Sequence, residues 1–176
     1  GNVNDATKIY LQVPNKDLSL EWNGDSGDEN LHLLRTWVRS MDKEGIFHTS
    51  SDIEIGIEIN IFKDIEGLIL GFTLWSEYGY ELAYILYDDN EPPPTALVNK
   101  GRMSKVFKIP SNTLAQGKYR IEFDIGIHMR KKIIDKEGEL EFSLQRIKGV
   151  GQRFITPAIR GRNSLFRPNS FLNDSD

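Results

Sequence analysis

The sequence predicts an all-β fold, an antiparallel β-sandwich of immunoglobulin-like or jelly-roll type, on three observations. Nineteen isoleucines stand against five alanines in 176 residues; β-branched side chains suit a pleated surface and lose rotamers in a helix. Several stretches alternate apolar and polar residues with period two, as strands do when one face is buried and the other wet. Turn signals punctuate these stretches at short intervals.

Residues 1 to 30 mix Asn, Asp, Gly and Ser with one apolar patch, Ile9 to Val13, and an acidic stretch, Glu21 to Asn30. They read as a linker or docking N-terminal segment able to supply one short strand. A weaker strand is expected over Leu31 to Met41, closed by the turn Lys43-Glu44-Gly45. Ile53, Ile55, Ile57, Ile59 and Ile61 then alternate with Glu54, Gly56, Glu58, Asn60 and Phe62, giving one core face and one wet face. Leu68, Leu70, Phe72 and Leu74 repeat the pattern, and Glu77-Tyr78-Gly79 turns the chain into a second weaker strand, Glu81 to Tyr87. After Pro92-Pro93-Pro94 comes Arg102 to Ile109. Tyr119, Ile121, Phe123, Ile125 and Ile127 face the core from the longest strand, with Arg120, Glu122, Asp124, Gly126 and His128 opposite. Leu140, Phe142 and Leu144 complete seven strands, enough for two facing sheets. Residues 31–150 are therefore expected to form the sandwich and 151–176 a C-terminal extension.

Composition narrows the chemistry. With 39% hydrophobic and 27% charged residues the chain is globular in type, and no apolar run approaches the roughly 20 residues that cross a bilayer. The absence of cysteine removes disulfides, thiolate catalysis and thiolate metal centres, and fits a reducing cytoplasm. His32, His48 and His128 have no metal-pair spacing. There is no G-x-S-x-G elbow, and Gly117-Lys118 lacks the remainder of a phosphate-binding loop. Asp88-Asp89-Asn90-Glu91 offers oxygen ligands without calcium-loop spacing and reads as a solvated turn. The expectation is no catalytic residue, no metal site, no cofactor and no nucleic-acid partner.

The charge is lopsided. From Phe142 to Asn173 there is no acid, while Arg146, Lys148, Arg153, Arg160, Arg162 and Arg167 give +6; the rest of the chain carries about −10. Phe154, Ile155, Ile159, Leu165, Phe166 and Phe171 make this basic extension too apolar for a purely solvated tail. Two arrangements are open: it docks, in part, on the acidic body of a partner subunit across a two-fold axis, exchanged within a homodimer, or it folds as a solvated tail on its own domain.

Trp75, Tyr78, Tyr80, Tyr84 and Tyr87 crowd into one hairpin. With Phe72 and Leu74 inward, either Trp75 lies on the opposite face or a bulge near the turn re-aims it. An outward indole is a flat apolar platform with a polar edge. Sugars present a matching face of C–H groups rimmed by hydroxyls, so a strand-borne aromatic beside carboxylates and arginines can both stack and hydrogen-bond. The same aromatics could equally cap a sandwich edge.

The order of motifs resembles the C-terminal domain of the Wzt type, carried by the ATPase subunit of ABC transporters that export O-antigen polysaccharides in Gram-negative bacteria. The resemblance runs through Leu33 to Val38 with Gly45, the alternating Ile53 to Ile61, and LILGFTLWSEYGYEL from Leu68. It continues through KGRMSKVFKIPSNTLAQGKYRIEFDI from Lys100, where Ile109-Pro110, Asn112, Leu114, Gly117 and Tyr119 match a strand end, a turn and a strand start, and through IIDKEGELEFSLQ from Ile133. It covers roughly residues 31 to 150. It departs at Phe154 to Phe166, where many members carry a tryptophan strand and this chain has no tryptophan.

The resemblance implies a non-catalytic glycan-binding domain that recognises the modified terminus of an O-antigen-type polysaccharide on the cytoplasmic side. It also implies an upstream ABC ATPase, consistent with a first residue that is Gly1, a membrane permease partner, and a place peripheral to the inner membrane. The alternative is a structural dimerisation sandwich with no glycan contact. The expected binding residues are chosen on physical grounds. Trp75 and Tyr84 are stacking surfaces; Arg120, Glu122, Asp124 and His128 are hydrogen-bonding groups; Arg102 and Lys105 meet acidic substituents.

Overall fold

In the computed structural model, which describes residues 20–89 and 97–146, the chain forms a two-sheet antiparallel sandwich. The strands are β1 (Glu21–Gly27), β2 (Leu31–Ser40), β3 (Ile53–Ile61), β4 (Ile65–Glu66), β5 (Leu68–Ser76), β6 (Glu81–Leu86), β7 (Leu97–Val98), β8 (Gly101–Ile109), β9 (Gly117–Ile127), β10 (Lys131–Ile134) and β11 (Leu140–Leu144). One sheet runs β1-β2-β3-β8. The other runs β10-β9-β5-β6, with β11 also paired to β9; β4 and β7 form a small separate ribbon.

All seven expected strands are present. Four more appear. β1 falls on the acidic stretch, so the sandwich begins ahead of the expected boundary at residue 31; the apolar patch 9–13 lies outside the described residues, as does the extension 151–176.

Alternation builds the core as the isoleucine count suggested. Ile55, Ile57 and Ile59 of β3 are completely buried, and they face Leu70, Phe72, Ile121, Phe123 and Ile125 from the other sheet in one continuous apolar cluster. Burying side chains of this size contributes roughly 1.5–3 kcal/mol each against exposure. Rings fill the core: Phe72 meets Phe107 of the opposite sheet edge-on at 5.2 Å, and within the five-stranded sheet Tyr119 stacks on its cross-strand neighbour Phe142 at 5.4 Å. The Tyr119 hydroxyl donates to the Ala115 carbonyl at 2.7 Å, and burial, with Glu77 nearby, raises its pKa to about 12.

Two polar ties join the sheets along one side. The Thr36 hydroxyl donates to the Gly138 carbonyl at 2.8 Å inside the core, which satisfies a buried polar pair. Asp28, in the β1–β2 turn, binds Lys131 of β10. Burial opposes ionisation of Asp28, but Lys131 and the Asn30 and Leu31 N–H groups outweigh it and lower the carboxyl to about 2.

The frame has a defined polarity. The β2–β3 loop, the β5–β6 turn and the 110–116 loop share one end. Residues 20 and 146 lie there too: Val38 N–H donates to the Leu20 carbonyl, and Thr49 N–H donates to that of Gln145.

Candidate functional site

The candidate site is the outer face of the five-stranded sheet. Register fixes it. β5 and β9 pair so that Leu70, Phe72 and Leu74 meet Ile125, Phe123 and Ile121 on the core side. The intervening pairs, Gly71 with Asp124, Thr73 with Glu122 and Trp75 with Arg120, must then point outward. From β6, Tyr84 joins the Thr73–Glu122 row and Glu81 the Trp75–Arg120 row. Five of the eight residues expected from sequence, Trp75, Tyr84, Arg120, Glu122 and Asp124, thus stand on one patch of sheet.

Alternation alone turns Trp75 outward. The irregularity sits between the Leu74 and Trp75 pairings with β6, where Leu82 is the extra residue. Arg120 lies over the Trp75 ring at 5.5 Å and reaches Glu122 at 3.8 Å and Glu139 at 3.6 Å. The indole is half-buried and its N–H is enclosed with no hydrogen-bond partner, so Trp75 does not present the polar edge that an outward indole was expected to show, and Arg120 takes up one face of its ring.

Tyr84 is the open aromatic among these five, 46% exposed, while Tyr78 and Tyr80 near the β5–β6 turn are more exposed still. The Tyr84 hydroxyl donates to Asp124 Oδ2 at 2.7 Å, and burial together with the Asp124 carboxylate pushes the phenol above its ordinary value. It therefore remains a donor, and Asp124 keeps its other lone pairs for a ligand. Glu122 is approached by Arg120 and, at 3.9 Å, by Lys132.

Gly71 and Gly126 floor this patch. A Cβ on Gly71 would stand 2.0 Å from the Ile85 carbonyl oxygen, and one on Gly126 2.5 Å from that of Lys131. Only glycine permits these neighbouring strands to approach so closely.

Solved structures supply the comparison. In fold, the chain is similar to the C-terminal domain of Wzt. The crystal structure of that domain superposes with a TM-score of 0.51 at 12% sequence identity, over 76% of this chain and 81% of that one. No family model matches the sequence, and no curated protein does.

The other three expected residues stand apart from the patch. Arg102 lies on the outer face of the opposite sheet, paired in register with Asn60 and bound to Glu58. Lys105, three positions on, has the other orientation; its Nζ lies 5.2 Å from the Tyr87 ring, closing the gap between β8 and β6. His128 has the outward parity, but β9 ends at Ile127 and His128 begins the turn to β10, where its N–H donates to the Gly67 carbonyl. The expectation that His128 stands on the wet face of the long strand is corrected accordingly, while Arg102 and Lys105, expected only to meet acidic substituents, lie away from the patch.

The outer face of the four-stranded sheet carries a second tryptophan cluster that sequence reading did not single out. Trp37 lies across Gly56, whose Cβ would fall 2.0 Å from the indole carbons. Arg35 and Arg39 cover the ring at 5.0 and 5.5 Å, and Glu21 binds Arg35 at 2.8 Å. The signal was present: Arg-x-Trp-x-Arg on one strand puts all three on one face.

A cavity of about 630 Å³ opens on the β2–β3 loop, away from both faces. In it Asp42 meets His48 Nε2 at 3.1 Å and Ser50 meets His48 Nδ1 at 2.8 Å, while Ser51 lies within 3.1 Å of both nitrogens. Asp42 also accepts the Glu44 N–H at 2.9 Å. These groups tie the loop to itself. Among the described residues no three His, Cys, Asp or Glu side chains could hold a metal ion, and no helix is long and apolar enough to cross a membrane.

Proposed function

We propose that the chain is a non-catalytic glycan-binding domain of a polysaccharide ABC exporter, recognising the polymer terminus on the outer face of the five-stranded sheet. One observation carries the reading: Tyr84, Trp75, Asp124, Glu122 and Arg120 come from three adjacent strands onto a single exposed sheet face. A flat aromatic beside carboxylates and a guanidinium is what a pyranose requires, since its C–H face stacks while its hydroxyls donate and accept. Strands hold such groups more rigidly than loops do, which limits the entropy lost on binding. The likeness in fold to the Wzt C-terminal domain supports the exporter setting. On this reading an ATPase domain, its permease and a second copy of the chain are the partners, at the cytoplasmic side of the inner membrane. No cofactor takes part.

Calorimetric titration of the folded chain with the host's own surface polysaccharide, ends intact, tests the proposal. Saturable binding that is weakened by Asp124→Ala supports it. A heat trace equal to dilution, from protein shown to be folded, sinks it. The second reading, a dimerisation sandwich without glycan contact, predicts that Trp75→Ala leaves export unchanged while deleting the domain abolishes assembly.

A further inference from the structure

We infer that the face selects neutral, hydroxyl-rich pyranose units and rejects glycans bearing phosphate, sulfate or carboxylate at the contacting residues. This rests on the glycan-binding reading and names the chemistry of its ligand.

Two of the outward cations on the face, Arg120 and Lys132, are already answered. Arg120 lies between Glu122 and Glu139 while stacking on Trp75, and Lys132 lies between Glu122 at 3.9 Å and Asp135 at 3.5 Å. An incoming anion must displace a carboxylate from one of them or settle beside it. Lys118, the remaining outward cation of β9, stands at the start of the strand opposite Ser143, beyond the Trp75–Arg120 row.

The acids are in excess. Asp124 accepts the Tyr84 hydroxyl but faces no cation within ion-pair distance among the described residues, and Asp89 adds its charge near Tyr84. Glu81 and Glu141 hold outward positions on the Trp75–Arg120 row from the two flanking strands. Lys105 and Arg102, which could have balanced these charges, are turned to Tyr87 and Glu58 elsewhere on the molecule.

The two kinds of ligand therefore meet opposite responses. Carboxylates with open lone pairs accept hydrogen bonds from sugar hydroxyls, strong ones because the acceptor is charged. A phosphate or uronate brought within several ångströms of Asp124 and Glu122 meets like charge in a partly desolvated setting, and specificity of this kind comes from the repulsive element as much as from the attractive one.

The test uses the whole chain and matched pairs of oligosaccharides at 150 mM salt. These are galacto-oligosaccharide against oligogalacturonate, and manno-oligosaccharide against oligomannuronate and against a phosphorylated mannan fragment. In every pair that binds, the neutral member is expected to bind roughly tenfold more tightly. Glu81→Gln with Glu141→Gln is expected to narrow that ratio several-fold without weakening the neutral ligand. An anionic member that binds as well as or better than its neutral counterpart overturns the inference and leaves the glycan reading standing. Absence of binding across all pairs, from folded protein that also gives no heat with the host polysaccharide, overturns both.

Discussion

On the four-stranded sheet, Trp37 is laid flat over Gly56, roofed by Arg35 and Arg39, and left only 9% exposed. On the five-stranded sheet, Trp75 carries a single arginine over its ring, and beside it Tyr84 projects 46% exposed. Both faces use the same residue types. The first spends them on itself, because the guanidiniums cover the indole and Glu21 holds Arg35. The second leaves an aromatic surface and carboxylate lone pairs available to something else. An outward tryptophan on a strand is thus not in itself a binding platform; what covers it decides.

The sharpest way to break this comparison is at the two glycines. Gly71→Ala drives a methyl into the Ile85 carbonyl oxygen, a backbone atom that cannot swing away, and is expected to cost about 3 kcal/mol and separate β5 from β6. Thermal unfolding would then fall by roughly 6–12 °C, and glycan affinity would be lost with it. Gly56→Ala meets only the Trp37 ring, so it lowers stability while binding by the remaining folded protein is retained. Equal loss of binding in both variants would erase the distinction between the faces.

Truncating the tryptophans gives the next largest effect. Trp37→Ala is expected to cost about 3 kcal/mol in denaturant unfolding, as for other enclosed rings, with unchanged affinity. Trp75→Ala, on a half-buried ring, is expected to cost less stability and to weaken glycan binding about tenfold in titration. Reversed outcomes would move the site to the other sheet.

Tyr84→Phe keeps the ring and removes the hydroxyl that fixes Asp124. Stability is expected to change by less than about 1 kcal/mol and the dissociation constant to rise several-fold. An unaltered constant would reduce Tyr84 to a stacking surface.

Acid probes the frame rather than the faces. The Asp28 carboxyl falls from 3.8 to about 2 on folding, so its contribution is complete above about pH 5 and is lost as pH falls through 4 towards 2. With the side chain 29% exposed, screening reduces that contribution to the order of 1 kcal/mol. Asp28→Asn should flatten the unfolding midpoint over that interval, as read by fluorescence, without changing the neutral-pH affinity for glycan.

Much of this was legible in the chain. Period two placed β3, β5 and β9 within a residue or two, because each has isoleucine or another large apolar side chain at every second position and one face in the core. β1 was not legible as a strand: Glu-Trp-Asn-Gly-Asp-Ser-Gly has the composition of a loop and is held by pairing with β2. Two-residue β4 and β7 and the lysine-led β10 are likewise products of tertiary neighbours. For the site, parity along β9 named Arg120, Glu122 and Asp124 directly. Parity also argues against grouping Arg102 with Lys105, since residues three apart on a strand face opposite ways. His128 lies off the patch for another reason: parity has no meaning beyond the end of a strand, and composition did not mark that end.

Residues 20 and 146 leave the sandwich at the same end, from β1 at the margin of one sheet and β11 at the margin of the other. Tension applied between them does not shear a ladder, in which many hydrogen bonds resist together. It first loads the Leu20–Val38 bond and the two bonds that hold Gln145 to Phe47 and Thr49, and then opens β1 from β2 at the Glu21–Trp37 pair and β11 from β9 at the Leu144–Gly117 pair, a few bonds at a time. The domain is expected to be mechanically soft along that axis. The triplet β9-β5-β6 that carries the candidate face is not the first material to peel, so a pull on the chain is expected to fray the margins before it disturbs the face.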